Sequence, residues 1–387
     1  EVDGMLLYRR SVTRNVAVPA GTQKITFTSG STGSPKGVCL SERSQLDVAL
    51  ALKARVEHIC NGQPRHLCLL PLPTLLENIA GIYAPLLSGG EVMIAADPLR
   101  GFSGSRLTEP QAMLALISKT QPKSLIVVPE LLKMLITAAQ HGWKVPASLE
   151  FIAVGGAYVS AGTLQKASAL GLPVYQGYGL SECGSVVALS DVIPSDAGDS
   201  VGLPLACRDV QIIDGELVVN MPFLGYLGDA GSASSQVFTG DLAQWTEQGG
   251  LRILGRRKNL LINSFGRNIS PEWVESVLTD SGSVQQAIVL GEAQPYCSAL
   301  LYAPPAVTDT ELATAVKRAN DILPDYARVI AYHRLHEPFS TAQGTLTDNG
   351  RLRRSVITQH YRSIISELYS QQFDVTGEKY ELLSVSA

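Results

Sequence analysis

Short apolar runs alternate with helix-like segments through the first half of the chain. Strands are predicted at residues 66–70, 91–95, 124–129, 150–156 and 172–176. Helices are predicted between them, at residues 74–88, 110–119, 129–140 and 160–170. Apolar runs without a polar face, separated by helices, are typical of a mostly parallel sheet that is covered on both sides. We therefore predict an α/β body with helices flanking its sheet.

The pattern changes after residue 200. "VQIIDGELVV" (210–219) has an Asp-Gly turn between apolar runs, and residues 242–255 resemble a second hairpin, so a β-rich annex is predicted. A smaller α+β domain follows. Its helices are predicted from Pro271, near 309–320 and near 350–370, and its strands near 284–290 and 298–302. The predicted boundaries are 1–256 for the body with its annex and 257–387 for the C-terminal domain.

The segment "ITFTSGSTGSPKGVCLS" (25–41) places glycines, hydroxyl side chains and Lys36 between two short runs that alternate like strands. Glycines allow backbone N–H groups to converge, and hydroxyls and a lysine add donors and charge, which suits a polyphosphate. The segment is not a Walker A loop, because Pro35 precedes the lysine and Gly37 follows it. A flexible linker is the alternative on composition alone.

The bulk composition excludes several classes of protein. The 387 residues include 31 basic and 35 acidic side chains, a net charge of −4, so no global basic field is available for nucleic acid or anionic membrane. The most apolar stretch, at 67–76, is short and holds two prolines, so no transmembrane segment is predicted. The six cysteines form no CxxC pair and are interpreted as reduced thiols of a cytosolic protein.

One group of residues has the composition of a zinc site. His58, Cys60, His66 and Cys68 form an H-x-C…H-x-C pattern, and four such ligands could bind zinc. His58 and Cys60 end a predicted helix, however, and side chains two residues apart do not share a helix face. The sequence therefore favours ordinary thiols and imidazoles over a metal site.

Six motifs, in order, resemble those of the adenylate-forming superfamily, which includes acyl-CoA synthetases, adenylation domains and luciferases. They are "TSGSTGSPKG" (28–37), "YGLSE" (178–182), "GELVVNMPFLGY" (215–226), "TGD" (239–241), "GRRKNLLINSFGRNISPEWVE" (255–275) and "LTDNGRLRR" (346–354). The resemblance covers residues 22 to 365 and argues against the linker interpretation. It implies an acyl-CoA synthetase-like fold and an ATP-dependent ligase that forms an acyl-adenylate and passes the acyl group to a thiol.

The resemblance also implies a role for each motif residue. The β- and γ-phosphates would be held by Thr28, Ser29, Gly30, Ser31, Thr32, Gly33 and Lys36. Ser181 would contact the α-phosphate, and Glu182 would bind Mg²⁺. The adenine would lie between Tyr178, with its neighbour Gly179, and the stretch formed by Gly156, Ala157 and Tyr158. Asp241 would accept both ribose hydroxyls, with Arg256 donating beside it.

Three further residues belong to the predicted movement and catalysis. Lys258 stands at the hinge about which the C-terminal domain would rotate between an adenylating and a thioester-forming pose. Gly266 would approach the acyl-adenylate in the second pose, because a residue without Cβ permits close approach. Arg351 stands where the family usually has the lysine that bridges the carboxylate and the α-phosphate. With Lys258, Glu182 and Ser181, it completes the predicted catalytic set.

The sequence departs from the family in three places. Arg351 keeps the charge of the usual lysine but is planar and broader, so slow or altered adenylation is expected. Thr74 replaces a histidine or aromatic residue that gates the acyl pocket. The phosphate loop begins at residue 28, whereas the family normally has an α/β subdomain before it, so the chain is either a fragment or a naturally short form. That would leave apolar surface to be covered by a partner or a second copy, so a homodimer is one expectation.

The substrates are less closely defined. The acyl pocket is predicted to include Leu180, Cys183 and Gly184, which are small or apolar, so an aliphatic, fatty-type acid is favoured and aryl acids stay an alternative. Coenzyme A is the expected acceptor, with the phosphopantetheine of an acyl carrier protein as the alternative. The competing hypothesis is a degenerate family member that binds AMP or an acyl ligand without turnover.

Overall fold

The computed structural model describes residues 16–28, 36–103, 106–191, 200–229, 231–347, 350–370 and 383–385. In these ranges the strands of the body are β1 (Lys24–Thr28), β2 (Lys36–Leu40), β3 (Arg65–Leu67), β4 (Glu91–Met93), β5 (Phe102–Ser103), β6 (Arg106–Leu107), β7 (Ser124–Val127), β8 (Phe151–Val154), β9 (Val174–Tyr178), β10 (Ala188–Leu189) and β11 (Leu203–Pro204). Its helices are α1 (Glu42–Glu57), a π-helix (Glu77–Tyr83), α2 (Ala84–Leu87), α3 (Pro110–Thr120), α4 (Pro129–Gln140), α5 (Ala161–Ala169) and a 3₁₀ turn (Ser181–Cys183).

A seven-stranded sheet forms the centre of the body, in the order β11–β10–β9–β8–β7–β3–β4. The five strands from β4 to β9 are parallel, and β10 and β11 close one side in antiparallel fashion. Helices α3, α4 and α5 pack their apolar residues on one face, and α1 packs on the other. The predicted body of mostly parallel sheet flanked by helices is confirmed.

The β-rich annex is a four-stranded antiparallel sheet. Its strands are β12 (Asp209–Ile213), β13 (Glu216–Phe223), β14 (Ser234–Trp245) and β15 (Leu251–Arg256). Asp214 and Gly215 form the turn between β12 and β13 with φ of +49° and +78°. Positive φ at both central residues is the reason that an Asp-Gly pair makes a tight hairpin. The turn predicted from the sequence is confirmed.

The C-terminal part is a smaller α+β unit. Its strands are β16 (Leu261–Ile262), β17 (Asn268–Ile269), β18 (Gln286–Leu290), β19 (Cys297–Tyr302), β20 (Val329–Leu335) and β21 (Leu383–Val385). Its helices are α6 (Pro271–Thr279), α7 (Asp309–Ile322), α8 (Arg354–His360) and α9 (Arg362–Ser370), with short 3₁₀ turns at Arg257–Asn259 and Asp325–Ala327. Helices α6 and α7 pack on one face of the β18–β21 sheet, and α8 and α9 pack on the other.

A helix was predicted at 74–88, and within that segment the structure has a π-helix followed by the short α2. Glu77 begins the π-helix and is fully buried, and its carboxylate accepts from His66 Nε2 at 2.8 Å and from the N–H of Leu70 at 3.1 Å. An ideal Cβ on Gly81 would lie 2.4 Å from Glu77 Oε1. The π-helix can therefore pack against the buried Glu77–His66 pair only because residue 81 is a glycine.

Candidate active site

Asp241 lies where the annex meets the body. It is 5% exposed on β14, opposite Arg256 on β15. Arg256 Nε is 2.7 Å from Asp241 Oδ1, and the hydroxyl of Tyr178 donates to Oδ2 at 2.6 Å. Burial raises the pKa of Asp241, and Arg256 and the Tyr178 hydrogen bond oppose that rise. Each carboxylate oxygen keeps a second acceptor site, so a pair of ribose hydroxyls could still bind here.

Tyr178 connects that carboxylate to the end of the central sheet. It is the last residue of β9, and burial followed by the charge of Asp241 raises the pKa of its phenol well above the usual value. Gly179 must be a glycine, because a Cβ there would lie 1.6 Å from the carbonyl oxygen of Ser185. The close turn that follows therefore presents Ser181 and Glu182 at the carboxyl end of the sheet, where ligands bind in α/β folds.

The other predicted adenine contacts come from the segment between β8 and α5. Gly156 has a φ of +89°, and both Gly156 and Ala157 are exposed, while Tyr158 is half-buried. Strand β8 pairs directly with β9, so the segment leaves the sheet beside Tyr178. The structure thus brings together residues that lie about 20 positions apart in the sequence.

Glu182 and Lys36 are linked by a residue to which the sequence analysis gave no role. The hydroxyl of Tyr226 donates to Glu182 Oε1 at 3.0 Å, and Lys36 Nζ lies 5.1 Å from the centroid of the same ring. Lys36 begins β2 directly opposite Thr28 on β1. Ser29, Gly30, Ser31, Thr32 and Gly33 lie outside the described residues.

Arg351 reaches this site from the C-terminal part. Its guanidinium donates to the carbonyl oxygen of Gly156 at 3.1 Å. Although the residue keeps exposed surface, desolvation and the charge of Arg256 lower its pKa, while Asp241 and Glu182 oppose that change. Lys258 is exposed in the 3₁₀ turn that follows β15, and its pKa is lowered by desolvation and then by Arg256.

The residues predicted for the acyl pocket come from three segments of the chain. Leu180 is half-buried beside Ser181, and Cys183 is fully buried in the core beside α1. Gly184 also faces α1, because a Cβ there would lie 3.1 Å from the Ser44 carbonyl oxygen. Thr74 is exposed in the turn before the π-helix. Gly266 is exposed at the tip of the β16–β17 hairpin with a φ of +74°. Membership of one pocket stays a prediction for all five.

The zinc pattern is not assembled by the fold. Among the described residues, the group of three or more possible metal ligands is His66, Cys68 and Glu77, without His58 or Cys60. His66 also bonds to Ser124 Oγ at 3.0 Å through Nδ1, so both of its ring nitrogens have partners. His66 and Glu77 are joined by a direct 2.8 Å hydrogen bond, which accounts for this buried pair without an ion.

The donors at the site match a nucleotide and a hard cation. The cations Lys36, Arg256, Lys258 and Arg351 outnumber the carboxylates of Asp241, Glu182 and Glu272, which suits the negative charge of a triphosphate. The Glu182 carboxylate supplies an oxygen of the kind that Mg²⁺ takes together with phosphate oxygens. The charges and oxygen donors of these residues are therefore of the kind that suits ATP and Mg²⁺.

The central sheet, the antiparallel annex and this grouping of charges define an adenylate-forming fold. A family model described as AMP-binding enzyme matches residues 15–226, and one described as AMP-binding enzyme C-terminal domain matches residues 258–373. The chain belongs to the AMP-binding enzyme family. The superfamily resemblance stated from the motifs is confirmed.

Three similar proteins place the chain within this family. Long-chain-fatty-acid–CoA ligase 1 of Cavia porcellus is 26% identical, over 89% of this chain and 60% of that protein. The 2-succinylbenzoate–CoA ligase of Staphylococcus epidermidis is 30% identical, over 69% of this chain and 56% of that protein. O-succinylbenzoate coenzyme A synthetase (MenE) from Bacillus subtilis, in complex with ATP and magnesium ion, is 25% identical with a TM-score of 0.68, over 86% of this chain and 68% of that chain. The chain thus spans less than two thirds of either ligase.

One expectation about membranes can be compared with the structure directly. None of the helices in the described ranges combines the length and the apolar character that crossing a bilayer requires.

Proposed function

We propose that this protein activates a carboxylic acid with ATP, forms an acyl-adenylate and pyrophosphate, and transfers the acyl group to a thiol, with coenzyme A as the first choice. The observation that carries the proposal is the pairing of Asp241 with both Tyr178 and Arg256, close to Arg351. A carboxylate held from two sides suits a ribose, and the cations beside it suit the phosphates.

The first chemical step would depend on position and charge. The carboxylate of the acid and the α-phosphate are both negative, so cationic groups must hold them together for the carboxylate oxygen to attack phosphorus. Arg351 is the candidate for this bridge, and Ser181 would donate to the α-phosphate. Mg²⁺, held by Glu182, would supply charge neutralisation at the phosphates.

The acid is proposed to be aliphatic. Support comes from the apolar character of Leu180 and its neighbours and from the similarity to a long-chain fatty acid ligase. The similarity to a 2-succinylbenzoate ligase supports the aryl alternative. An acyl carrier protein as acceptor and a homodimer stay predictions, as do the cytosolic location and the domain limits 1–256 and 257–387.

The alternative is a binding protein without turnover. The replacement of the usual lysine by Arg351 and the exposed Thr74 favour it. The motif residues Lys36, Glu182 and Lys258 favour the ligase, because groups for phosphate, Mg²⁺ and domain movement serve turnover. The contacts of Asp241 with Tyr178 and Arg256 would also serve a protein that only binds AMP.

Pyrophosphate release separates these hypotheses. The purified protein is incubated with ATP, Mg²⁺ and a panel of fatty and aryl acids, with and without coenzyme A. Release that needs an acid and rises with coenzyme A supports the ligase, and Glu182→Ala should abolish it. Release that is indifferent to coenzyme A points to a carrier protein. Absence of release with every acid, from folded protein that binds ATP, overturns the ligase in favour of the binding protein.

A further inference from the structure

Asp280 forms an unusual contact between the two parts of the chain. It follows helix α6 of the C-terminal part, and its carboxylate oxygens lie 2.6 and 2.5 Å from the Oγ of Ser160 in the body. Thr163 Oγ1 donates to Asp280 Oδ1 at 2.7 Å. Ser160 and Thr163 are 3% and 4% exposed, so these hydroxyls face a protein partner instead of water.

The contact lies at the beginning of helix α5. Ser160 is the N-cap of that helix and also accepts from the backbone N–H of Thr163 at 3.0 Å. A Cβ on Gly162 would lie 2.8 Å from Asp280 Oδ2, so the carboxylate rests directly on the first turn. Negative charge is favourable there because the first N–H groups of a helix have no acceptor within the helix and carry partial positive charge.

Two lysines extend the same contact. Lys133 on α4 donates to Thr279 Oγ1 at 2.8 Å, and Lys166 on α5 donates to the Asp280 carbonyl oxygen. Burial lowers the pKa of Lys133, and the charge of Asp280 opposes that change. The end of α6 is therefore held by hydroxyls and ammonium groups from two helices of the body.

The segment of the body that contacts Asp280 also contacts Arg351. Residues 155–160 connect β8 to α5, with the Gly156 carbonyl accepting from Arg351 at one end and Ser160 bonding to Asp280 at the other. The C-terminal part is thus fixed at two points of one short segment. Two contacts restrict rotation of that part more than either contact alone would.

We propose that Asp280 is a positioning residue, which docks the C-terminal domain on the N-terminus of α5 and thereby places Arg351 at the adenylation site. This inference rests on the proposed function for its kinetic consequence, but the docking itself is a structural property. Loss of the Asp280 charge should release the domain and lower the fraction of molecules in which Arg351 contacts Gly156.

The test uses Asp280→Asn, with Asp309→Asn as the matched control. Asp309 forms an ion pair with Arg334 inside the C-terminal part, and its side chain is 82% exposed. Thr163→Val removes one donor from the opposite side and covers the case in which Asp280→Asn fails to fold. Förster transfer between dyes on Gln140→Cys and Lys317→Cys, both exposed positions, reports the distance between the two parts.

Asp280→Asn should shift or broaden the distance distribution and slow acyl-adenylate formation roughly five- to tenfold, as expected for the loss of charge-assisted hydrogen bonds. Thioester formation from preformed acyl-adenylate should change less than twofold. In an Arg351→Ala background, Asp280→Asn should have no further effect on adenylation, because Asp280 acts through Arg351.

An unchanged distance distribution in both Asp280→Asn and Thr163→Val overturns the proposal. Equal slowing of both half-reactions, or full additivity with Arg351→Ala, also overturns it. If the wild-type protein forms no adenylate with any acid, the proposed function fails, and the distance measurement alone then decides whether Asp280 docks the domain.

Discussion

The Tyr226 hydroxyl donates a hydrogen bond to Glu182 Oε1 at 3.0 Å, and the face of the same ring lies 5.1 Å below Lys36 Nζ. One side chain therefore orients both the acid expected to bind Mg²⁺ and the lysine expected to bind phosphate. Burial and the neighbouring Glu182 raise the pKa of Tyr226, so the phenol remains a donor throughout the working range of pH.

Tyr226→Phe should raise the concentration of Mg²⁺ needed for half-maximal pyrophosphate release about three- to tenfold, since outer-sphere partners orient metal ligands. The ring remains to contact Lys36, so the maximal rate should fall less. A magnesium titration of activity makes the measurement. Tyr369→Phe, which removes the acceptor of a comparable 2.7 Å hydrogen bond from Ser298 inside the C-terminal part, should leave the titration unchanged. Identical titration curves for Tyr226→Phe and wild type would show that Tyr226 does not orient the Mg²⁺ ligand.

Arg351→Lys should increase the rate of acyl-adenylate formation at least several-fold. A lysine is the residue that the family usually has here, and its compact ammonium can approach both the acid and the α-phosphate. Single-turnover adenylation kinetics provide the readout. Arg353→Lys, an exposed neighbour that bonds to the Gly344 carbonyl, is the control and should have no effect. Unchanged kinetics in Arg351→Lys would show that arginine at this position does not slow acyl-adenylate formation.

Gly81→Ala should destabilise the body by about 2–3 kcal/mol, the cost of an added methyl group in a closely packed interior. Its Cβ would lie 2.4 Å from Glu77 Oε1 and 2.6 Å from His66 Nε2, both of them buried atoms that already share a hydrogen bond. Urea unfolding gives the comparison. Gly231→Ala, whose Cβ would meet only Asp229 Oδ1 at 3.7 Å, should change stability by less than about 0.5 kcal/mol. Equal effects of the two substitutions would contradict the proposed packing.

Glu275 should make the C-terminal part less stable as the pH rises toward 7. Burial raises its pKa to about 7, although Arg354 and the Val289 N–H favour the charged form. Between the usual pKa of 4.5 and this value, the folded state binds the extra proton. The stabilisation from the protonated Glu275 carboxyl is therefore complete below pH 4.5. It is lost as the pH rises through 7, which lowers the free energy of unfolding by up to about 3 kcal/mol.

Denaturant unfolding at pH 5 and pH 8 measures this effect. Glu275→Gln cannot titrate, so its free energy of unfolding should fall less over this interval than that of the wild type. Glu367→Gln, at an exposed position of α9, is the control and should keep the wild-type slope. If Glu275→Gln also keeps that slope, Glu275 is ionised throughout.

Local chemistry allowed much of the molecule to be predicted from the sequence. The Asp214–Gly215 turn, the alternation of buried strands with helices and the motif residues Tyr178, Asp241 and Arg256 depend on neighbours in the chain or on motifs with fixed spacing. Such features need only short-range geometry, so the class of fold could be predicted in advance.

Contacts between distant segments were decided by the tertiary structure alone. The sequence motif ended at Tyr226 without indicating that its hydroxyl would meet Glu182, 44 residues away. No role was assigned to Asp280 from the sequence, and Glu77 was placed only within a predicted helix. Their partners, Ser160 and His66, become neighbours only when the sheets and helices pack, and a buried charge or hydroxyl then takes whichever donor the fold brings within reach.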